Sequence, residues 1–223
     1  MSLTRWLPAP HFDAANRFLA YWVLWVTLGA VAGALLPALA WYLFAGTTAS
    51  VPALILAGAG QGIVLGWTQG TLLSFGLPGL SRSRWVGATA AGTAAAWFVG
   101  LLPVEWADVW QRWPAAGQLT AAVLLGGVLL SAIGLAQAMQ LRPHLPGALR
   151  WLAGTIAAWL AGAGVFLLVA PPLWQPGQPV MVSVLIGVIA GILALVTVSL
   201  VTGLVLLRLL RRPPRPPRTD RKS

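Results

Sequence analysis

The sequence predicts an all-α integral membrane protein: a bundle of six transmembrane helices, built as three tandem two-helix repeats with pseudo-three-fold symmetry. Hydrophobic residues make up 58% of the chain and charged residues only 8%, and the mean hydropathy is +0.82. Soluble domains lie far from these values. Six apolar stretches are each long enough to cross a hydrocarbon core, for which a helix needs about 20 residues. A faint repeat divides the six stretches into three pairs.

The six spans follow one another with short connections, and none of them contains Asp, Glu, Lys, Arg or His. The strand-like alternation of polar and apolar residues is absent, which disfavours a β-barrel. The expected spans, which form a membrane domain over residues 19–207, are 19–45, 52–73, 85–102, 119–141, 151–170 and 180–207.

The segments before and after the spans differ from them in composition. The apolar run from Phe18 to Phe44 is much longer than the core of a signal peptide, so we expect it to be retained as the first span. Residues 1–18 are expected to form a cytoplasmic segment that lies along the interface. Residues 208–223 form a tail rich in Pro and Arg, whose charges favour contact with anionic lipid headgroups. Docking of this tail to a partner protein is the alternative.

Each pair of spans repeats two half-motifs at nearly constant spacing. The second and fourth spans carry a Gly-x-x-Gln stretch that ends at Gln69 and Gln137, and the sixth span has Thr197, Ser199 and Thr202 in its place. This pattern indicates duplication of a helical hairpin, with repeats at about 19–73, 85–141 and 151–207. The odd-numbered spans share a Trp followed by a small residue seven positions later: Trp22 and Gly29, Trp85 and Gly92, Trp151 and Ala158.

Small residues recur at four-residue spacing within the spans. Residues four positions apart share one face of a helix, and membrane helices associate through close backbone approach at such faces. We therefore expect a compact bundle. The glycines expected to face neighbouring helices are Gly29, Gly33, Gly62, Gly66, Gly70, Gly92, Gly100, Gly127, Gly154, Gly162, Gly187 and Gly191.

Polar side chains within the spans are the candidate contacts inside the bundle. Gln69 and Gln137 lie beside the small-residue faces of their helices and are expected to point inward. Two interpretations remain open: interhelical hydrogen bonds, or the lining of a solute path. We favour hydrogen bonds, because amides commonly join membrane helices and no charged residue accompanies them here. The full set is Gln61, Thr68, Gln69, Ser131, Gln137 and Gln140.

Tryptophans are expected to mark the membrane interfaces. Trp85 and Trp151 directly follow arginines, a setting in which an indole lies well at headgroup level. Trp106, Trp110 and Trp113 recur at helical spacing, so we expect them on one face of a short helix on the outer leaflet.

The basic residues predict the topology. With both termini in the cytoplasm, all but one of the 14 Lys and Arg residues lie inside, the exception being Arg112. This distribution follows the positive-inside rule. It also accounts for the net charge of +10 without nucleic acid as a partner. Arginine greatly outnumbers lysine, and alanine and glycine are abundant, which favours a bacterial source and hence the bacterial cytoplasmic membrane.

Groups for catalysis or metal binding are nearly absent from the sequence. There is no cysteine, and His11 and His144 are the only histidines, too few for a metal site. No nucleophile elbow, zinc-protease motif or phosphate loop occurs. We expect no catalytic residue, no metal and no cofactor, and we expect the protein not to be an enzyme.

Two stretches resemble a repeat found in uncharacterised bacterial polytopic membrane proteins. They are Gly66-Trp-Thr-Gln followed by Arg84-Trp85-Val-Gly-Ala-Thr, and Gly134-Leu-Ala-Gln followed by Leu141-Arg142 and Trp151-Leu-Ala-Gly-Thr. The repeat in those proteins runs approximately G-L-A-Q-W-x-x-L-R and then W-x-x-A-T-A-x-G-W. This chain has Ala138 at the position where that family often has Trp. The resemblance implies a repeated membrane architecture, and it implies no activity.

Two functions of different classes are consistent with the sequence. The first is a non-enzymatic scaffold, assembly or accessory component of a membrane complex, with the lipid bilayer and a membrane protein as partners. The second is a passive transporter or channel-like facilitator for a small neutral solute, because transporters contain parallel repeats with sites between them. A polar column through the bundle would favour the facilitator, and a dry packed core would favour the scaffold.

Overall fold

The computed structural model describes residues 12–77 and 79–211. Within these residues the protein is all-helical, and six of its seven helices are long and apolar enough to cross a membrane. The helices are α1 (Phe12–Phe44), α2 (Ser50–Gly76), α3 (Arg82–Glu105), α4 (Ala107–Trp110), α5 (Ala115–Leu141), α6 (Leu149–Leu173) and α7 (Val180–Leu210).

The six long helices confirm the six predicted spans, and most of them extend a few residues beyond the predicted limits. The hydrophobic pattern stops at the first polar residues, whereas the helical hydrogen bonds continue past them. α3, for example, starts at Arg82, where the Ser81 hydroxyl accepts a hydrogen bond from the Arg84 backbone N–H at 3.4 Å. Residues 12–18 belong to α1, so this helix begins within the segment that was expected to lie along the interface. Residues 1–11 and 212–223, which include most of the predicted tail, lie outside the described part.

The long helices form a closed ring. Each packs against its neighbours in the order α1, α2, α3, α5, α6, α7, and α7 returns to pack against α1. Because the connections are short, α1, α3 and α6 start at the same end of the ring at which α2, α5 and α7 finish. We call this the basic end, because it carries Arg17, Arg82, Arg84, Arg142, Arg150, Arg208 and Arg211.

Glycines allow close approach of the helices, as the small-residue pattern predicted. A Cβ added at Gly62 would come within 2.6 Å of the Ala90 Cα, and one at Gly92 within 2.9 Å of the Ile133 Cα. Both neighbours are backbone atoms, so these contacts cannot relax by a side-chain rotation. At nine of the predicted glycines an added Cβ would lie 3.3 Å or less from an atom of another helix. They are Gly29, Gly33, Gly62, Gly66, Gly70, Gly92, Gly100, Gly154 and Gly162.

The predicted helix packing at Gly127, Gly187 and Gly191 is wrong. A Cβ at Gly127 or Gly191 would meet no atom of the described residues within 4 Å, and one at Gly187 would meet only the Trp174 ring, which follows α6. In α7 the neighbouring residue Ala190 is fully buried instead. In α5 all buried residues lie between Ile133 and Leu141, so the half of α5 that contains Gly127 packs loosely.

The basic end of the ring is closed by a tryptophan cluster, which consists of Trp22, Trp85 and Trp151. All three side chains are at most 1% exposed. The Trp151 ring lies edge-on to the Trp22 ring at 6.4 Å and to the Trp85 ring at 6.1 Å between centroids. Leucines of the helices and of the basic-end turns surround them: Leu73, Leu77, Leu80, Leu141, Leu145, Leu206 and Leu209.

The prediction that Trp85 and Trp151 anchor the protein at the interface is therefore wrong. Each tryptophan lies on the first turns of its helix beside an arginine, as an interfacial residue would. However, each shares a helix face with a residue seven positions later, Gly92 and Ala158, which is buried in the bundle. The inward face of the helix thus directs both indoles toward the ring interior.

The predicted aromatic face at the opposite end is only partly formed. α4 is a single turn, and Trp113 follows it outside the helix. Trp110 and Trp113 pack edge to face, with centroids 4.9 Å apart, and Trp110 Nε1 donates to the Leu102 carbonyl oxygen at 3.3 Å. Trp106 is 57% exposed. The predicted helix face is therefore incomplete, because Trp113 lies beyond the end of α4.

Candidate functional site

The ring surrounds a partly open cavity of about 400 Å³, to which all six long helices contribute side chains. Its walls are mainly aliphatic, with Val26, Ala30, Leu65, Ala96, Ile133 and Val198 among them. It reaches from Gln69, near the basic end, to Leu101, near the opposite end of α3. Pockets that bind small molecules are typically about 300–1,000 Å³ and mostly apolar, so this cavity has the size and character of such a site.

Gln137 is the centre of a hydrogen-bonded floor between the cavity and the tryptophan cluster. The side chain of Gln137 is 1% exposed. Its Nε2 donates to Gln69 Oε1 at 2.8 Å and to Thr89 Oγ1 at 3.1 Å. Its Oε1 accepts from Trp151 Nε1 at 3.1 Å. Four helices, α2, α3, α5 and α6, are joined by this one side chain.

A second part of the floor joins α1 to α7 and closes the ring. Trp22 Nε1 donates to Thr202 Oγ1 at 3.3 Å, and Thr27 Oγ1 donates to Ser199 Oγ at 3.1 Å. All four side chains are buried. Ser199 and Thr202 lie in the region of α7 where the sequence pattern has them in place of a glutamine. They therefore take part in the floor as Gln69 and Gln137 do.

Gln61 forms a separate contact in the part of the cavity further from the basic end. Trp97 Nε1 donates to Gln61 Oε1 at 2.9 Å, which joins α3 to α2. The Trp97 ring lies directly against Gly58, so only a glycine leaves room for it. Gln61 and Gln69 are both on α2, two turns or about 12 Å apart along the axis, and both line the cavity.

Three of the six predicted polar contacts belong to this site: Gln61, Gln69 and Gln137. The predictions for Ser131 and Thr68 as interhelical hydrogen-bond partners are wrong. The Ser131 hydroxyl donates to carbonyl oxygens of its own helix, and so does that of Thr68. Gln140 is partly buried and makes no side-chain hydrogen bond with another described residue. The short side chains of Ser and Thr can donate to a carbonyl oxygen in the preceding turn of their own helix. The longer side chain of Gln can reach a neighbouring helix.

The predicted set omitted several residues that the structure brings to the site. Trp22, Thr27 and Thr89 complete the floor, and Trp97 and Trp159 line the cavity. The sequence contains a signal for Trp22. Trp22 has Gly29 seven positions later on the same helical face, and that glycine approaches Thr68 of α2 closely. The inward direction of the indoles follows from that face.

Trp85 differs from the two other members of the tryptophan cluster. Its Nε1–H is buried and has no hydrogen-bond partner among the described residues. Its ring edge lies against Gly70, with 3.3 Å between Cδ1 and a Cβ built on that glycine, just as the Trp22 ring edge lies against Gly203. Trp22 donates to the residue before Gly203, which is Thr202. The corresponding residue before Gly70 is Gln69, whose oxygen is already taken by Gln137.

The cavity lining within the described residues includes no Asp, Glu, Lys, Arg or His. The described residues also contain no group of three or more His, Cys, Asp or Glu side chains that could hold a metal ion. Polar contacts with a bound molecule would therefore come from neutral amides, hydroxyls and indoles. The arrangement is chemically suited to hydrogen bonding within an apolar space.

Comparison with known proteins found no match: no protein-family model, no curated protein sequence and no solved structure is similar to this chain. The likeness to a repeat of bacterial membrane proteins thus stays a prediction. The fold and the geometry of the cavity carry the functional argument.

Proposed function

We propose that this chain is a non-enzymatic, multi-pass membrane protein that binds a small, largely apolar molecule inside its helix ring, as an accessory or binding component of the membrane. The observation that carries the proposal is the cavity of about 400 Å³ lined by all six long helices. A protein that serves only as a packed scaffold has no need of such a space, since membrane helices associate through close packing.

The floor of the cavity supports binding in preference to passage. Below the hydrogen-bonded floor, the tryptophan cluster and its leucines fill the basic end. A facilitator for a neutral solute, the alternative function, needs a path through that end. The polar side chains are concentrated at the floor and at Gln61, and the walls between them are mainly aliphatic. A solute path lined continuously by polar groups is therefore less well supported than a binding site with one polar end.

We also propose the orientation and the internal symmetry of the ring. The seven described arginines at the basic end support its location on the cytoplasmic side of a bacterial inner membrane, with both termini there, by the positive-inside rule. The similar positions of Trp22, Trp85 and Trp151 around one cluster support an origin from three duplicated hairpins.

A matched pair of variants tests the proposed function. Ala96 lines the cavity, and its neighbour Ala95 on α3 is exposed on the outer surface. Ala96→Phe places a ring inside the cavity, whereas Ala95→Phe adds the same ring outside. The full chain is extracted from its native membrane in mild detergent and analysed by native mass spectrometry.

The expected result is a small molecule bound to the wild type and to Ala95→Phe and absent from Ala96→Phe. Lipids on the outer surface would survive both substitutions equally, so the pair separates them from a molecule in the ring. A wild type without any small molecule, or one whose bound molecule survives Ala96→Phe, would contradict the proposal.

A further inference from the structure

Two of the amide groups that line the cavity have donors without a partner in the described part of the chain. Each of the three glutamine oxygens already accepts a hydrogen bond: Gln61 Oε1 from Trp97, Gln69 Oε1 from Gln137, and Gln137 Oε1 from Trp151. By contrast, Gln61 Nε2 and Gln69 Nε2 donate to no acceptor among the described residues. Both Nε2 groups therefore remain as hydrogen-bond donors at the cavity wall.

The indole groups determine which end of each amide is free. An indole N–H can only donate, so Trp97 and Trp151 require the oxygens of Gln61 and Gln137 to face them. Gln137 must then present its Nε2 to Gln69, which requires the oxygen of Gln69 to face Gln137. Reversal of any of these amides would place two donors against each other. The free group is thus Nε2 in both Gln61 and Gln69.

We infer that the molecule bound in the ring is neutral and largely apolar and carries a carbonyl oxygen, to which Gln69 Nε2 or Gln61 Nε2 donates. This inference rests on the proposed function, since it concerns the same cavity. A carbonyl oxygen accepts hydrogen bonds without the need to donate any, which matches the two amide groups that donate to no described residue. A carboxylate or phosphate would be buried without a cation, because the described lining has no Lys, Arg or His.

The mainly aliphatic walls disfavour strongly polar ligands. Hydroxyl-rich or amide-rich molecules would bring more polar groups than the few polar side chains of the lining can pair, and a buried polar group without a partner is costly. Ketones, quinones and esters with aliphatic or aromatic bodies meet the requirement. The two donors lie at different depths on α2, so a carbonyl at either level finds one of them.

Benzophenone and diphenylmethane form a suitable pair of probes, because they share two phenyl rings and differ at one carbon, a carbonyl in the first and a methylene in the second. Benzophenone also forms covalent bonds with nearby C–H groups under light, so peptide mapping shows where it binds. Tritiated benzophenone is photolysed with the purified full chain in lipid nanodiscs, and unlabelled benzophenone or diphenylmethane competes for the site.

Labelling is expected in the peptides of α2, α3 and α5 that line the cavity, and both competitors should reduce it. Unlabelled benzophenone should compete at a concentration roughly three- to tenfold lower than diphenylmethane, the ratio expected for one neutral hydrogen bond. Gln61→Met combined with Gln69→Met should bring this ratio to about one. Gln140→Met is the matched control, because Gln140 lies outside the cavity lining, and it should retain the wild-type ratio.

Each other outcome has a definite meaning. Labelling inside the ring with equal competition by both compounds would overturn the carbonyl inference and leave the proposed binding function standing. A ratio that persists in the double variant would overturn the assignment of the two amides as donors. Labelling that neither compound reduces, or that is confined to outer surfaces, would overturn both proposals. If the double variant does not fold, Gln61→Met and Gln69→Met are measured singly, and one of them should bring the ratio to about one; a wild-type ratio in both would overturn the assignment.

Discussion

Replacement of Gln137 by leucine removes the side chain on which the floor of the cavity depends. Leucine has a similar size, so the change tests hydrogen bonding more than packing. Gln137 takes part in three hydrogen bonds, to Gln69, Thr89 and Trp151, whereas Gln69 takes part in one. The two glutamines occupy corresponding positions in the predicted repeat, yet the structure gives them unequal roles.

The expected losses of unfolding free energy follow from these bonds. Interhelical hydrogen bonds in membranes are worth about 0.6 kcal/mol on average, so Gln69→Leu should cost about 0.6 kcal/mol. Gln137→Leu should cost about 2 kcal/mol for its three bonds. It also leaves the buried indole N–H of Trp151 without an acceptor, which adds about 1 kcal/mol. The total for Gln137→Leu is therefore about 3 kcal/mol.

The free energy of unfolding is measured by denaturation with sodium dodecyl sulfate in mixed micelles. Gln140→Leu is the control, because it lies on the same helix without a side-chain hydrogen bond to another described residue, and it should change stability by less than about 0.5 kcal/mol. Equal losses for Gln137→Leu and Gln69→Leu would refute the reasoning, since the Gln137 side chain would then not be the centre of the floor.

Three further predictions concern packing, ring closure and topology. Gly62→Ala should destabilise the protein by about 1–3 kcal/mol, because its Cβ would overlap the α3 backbone; Gly127→Ala should be neutral or slightly stabilising in the same unfolding assay, and equal effects would contradict the packing. Thr202→Val should lower stability by about 1 kcal/mol through loss of the Trp22 hydrogen bond; Thr197→Val, whose hydroxyl bonds only within α7, should lower it less. Single cysteines in this naturally Cys-free chain report topology. A membrane-impermeant thiol reagent applied from outside should label cysteines at Thr47, Asp108 and Pro176. It should not label cysteines at Ser83, Pro146 and Thr219, and labelling there would overturn the orientation.

The tryptophans show most clearly where inference from the sequence succeeds and where it fails. Position next to an arginine predicted that Trp85 and Trp151 lie at the interface, and both are buried. The seven-residue spacing to Gly92 and Ala158 was recognised as a repeat, but it also defines a helix face that points into the ring. The prediction relied on the adjacent arginines, but the periodicity of the whole helix decided that both indoles point into the ring.

The sequence by itself determined the helical class, the six spans and the inward direction of Gln69 and Gln137. These depend on hydrophobic length and helical periodicity, which are local properties of the chain. Only the tertiary structure decided that the helices close into a ring, that a cavity remains at its centre, and that Gln137 has three hydrogen-bond partners while the Trp85 Nε1–H has none among the described residues. These features depend on which helices become neighbours and on how far apart their backbones stay. Such distances arise from the joint packing of residues that are far apart in the chain, and no single span contains the information.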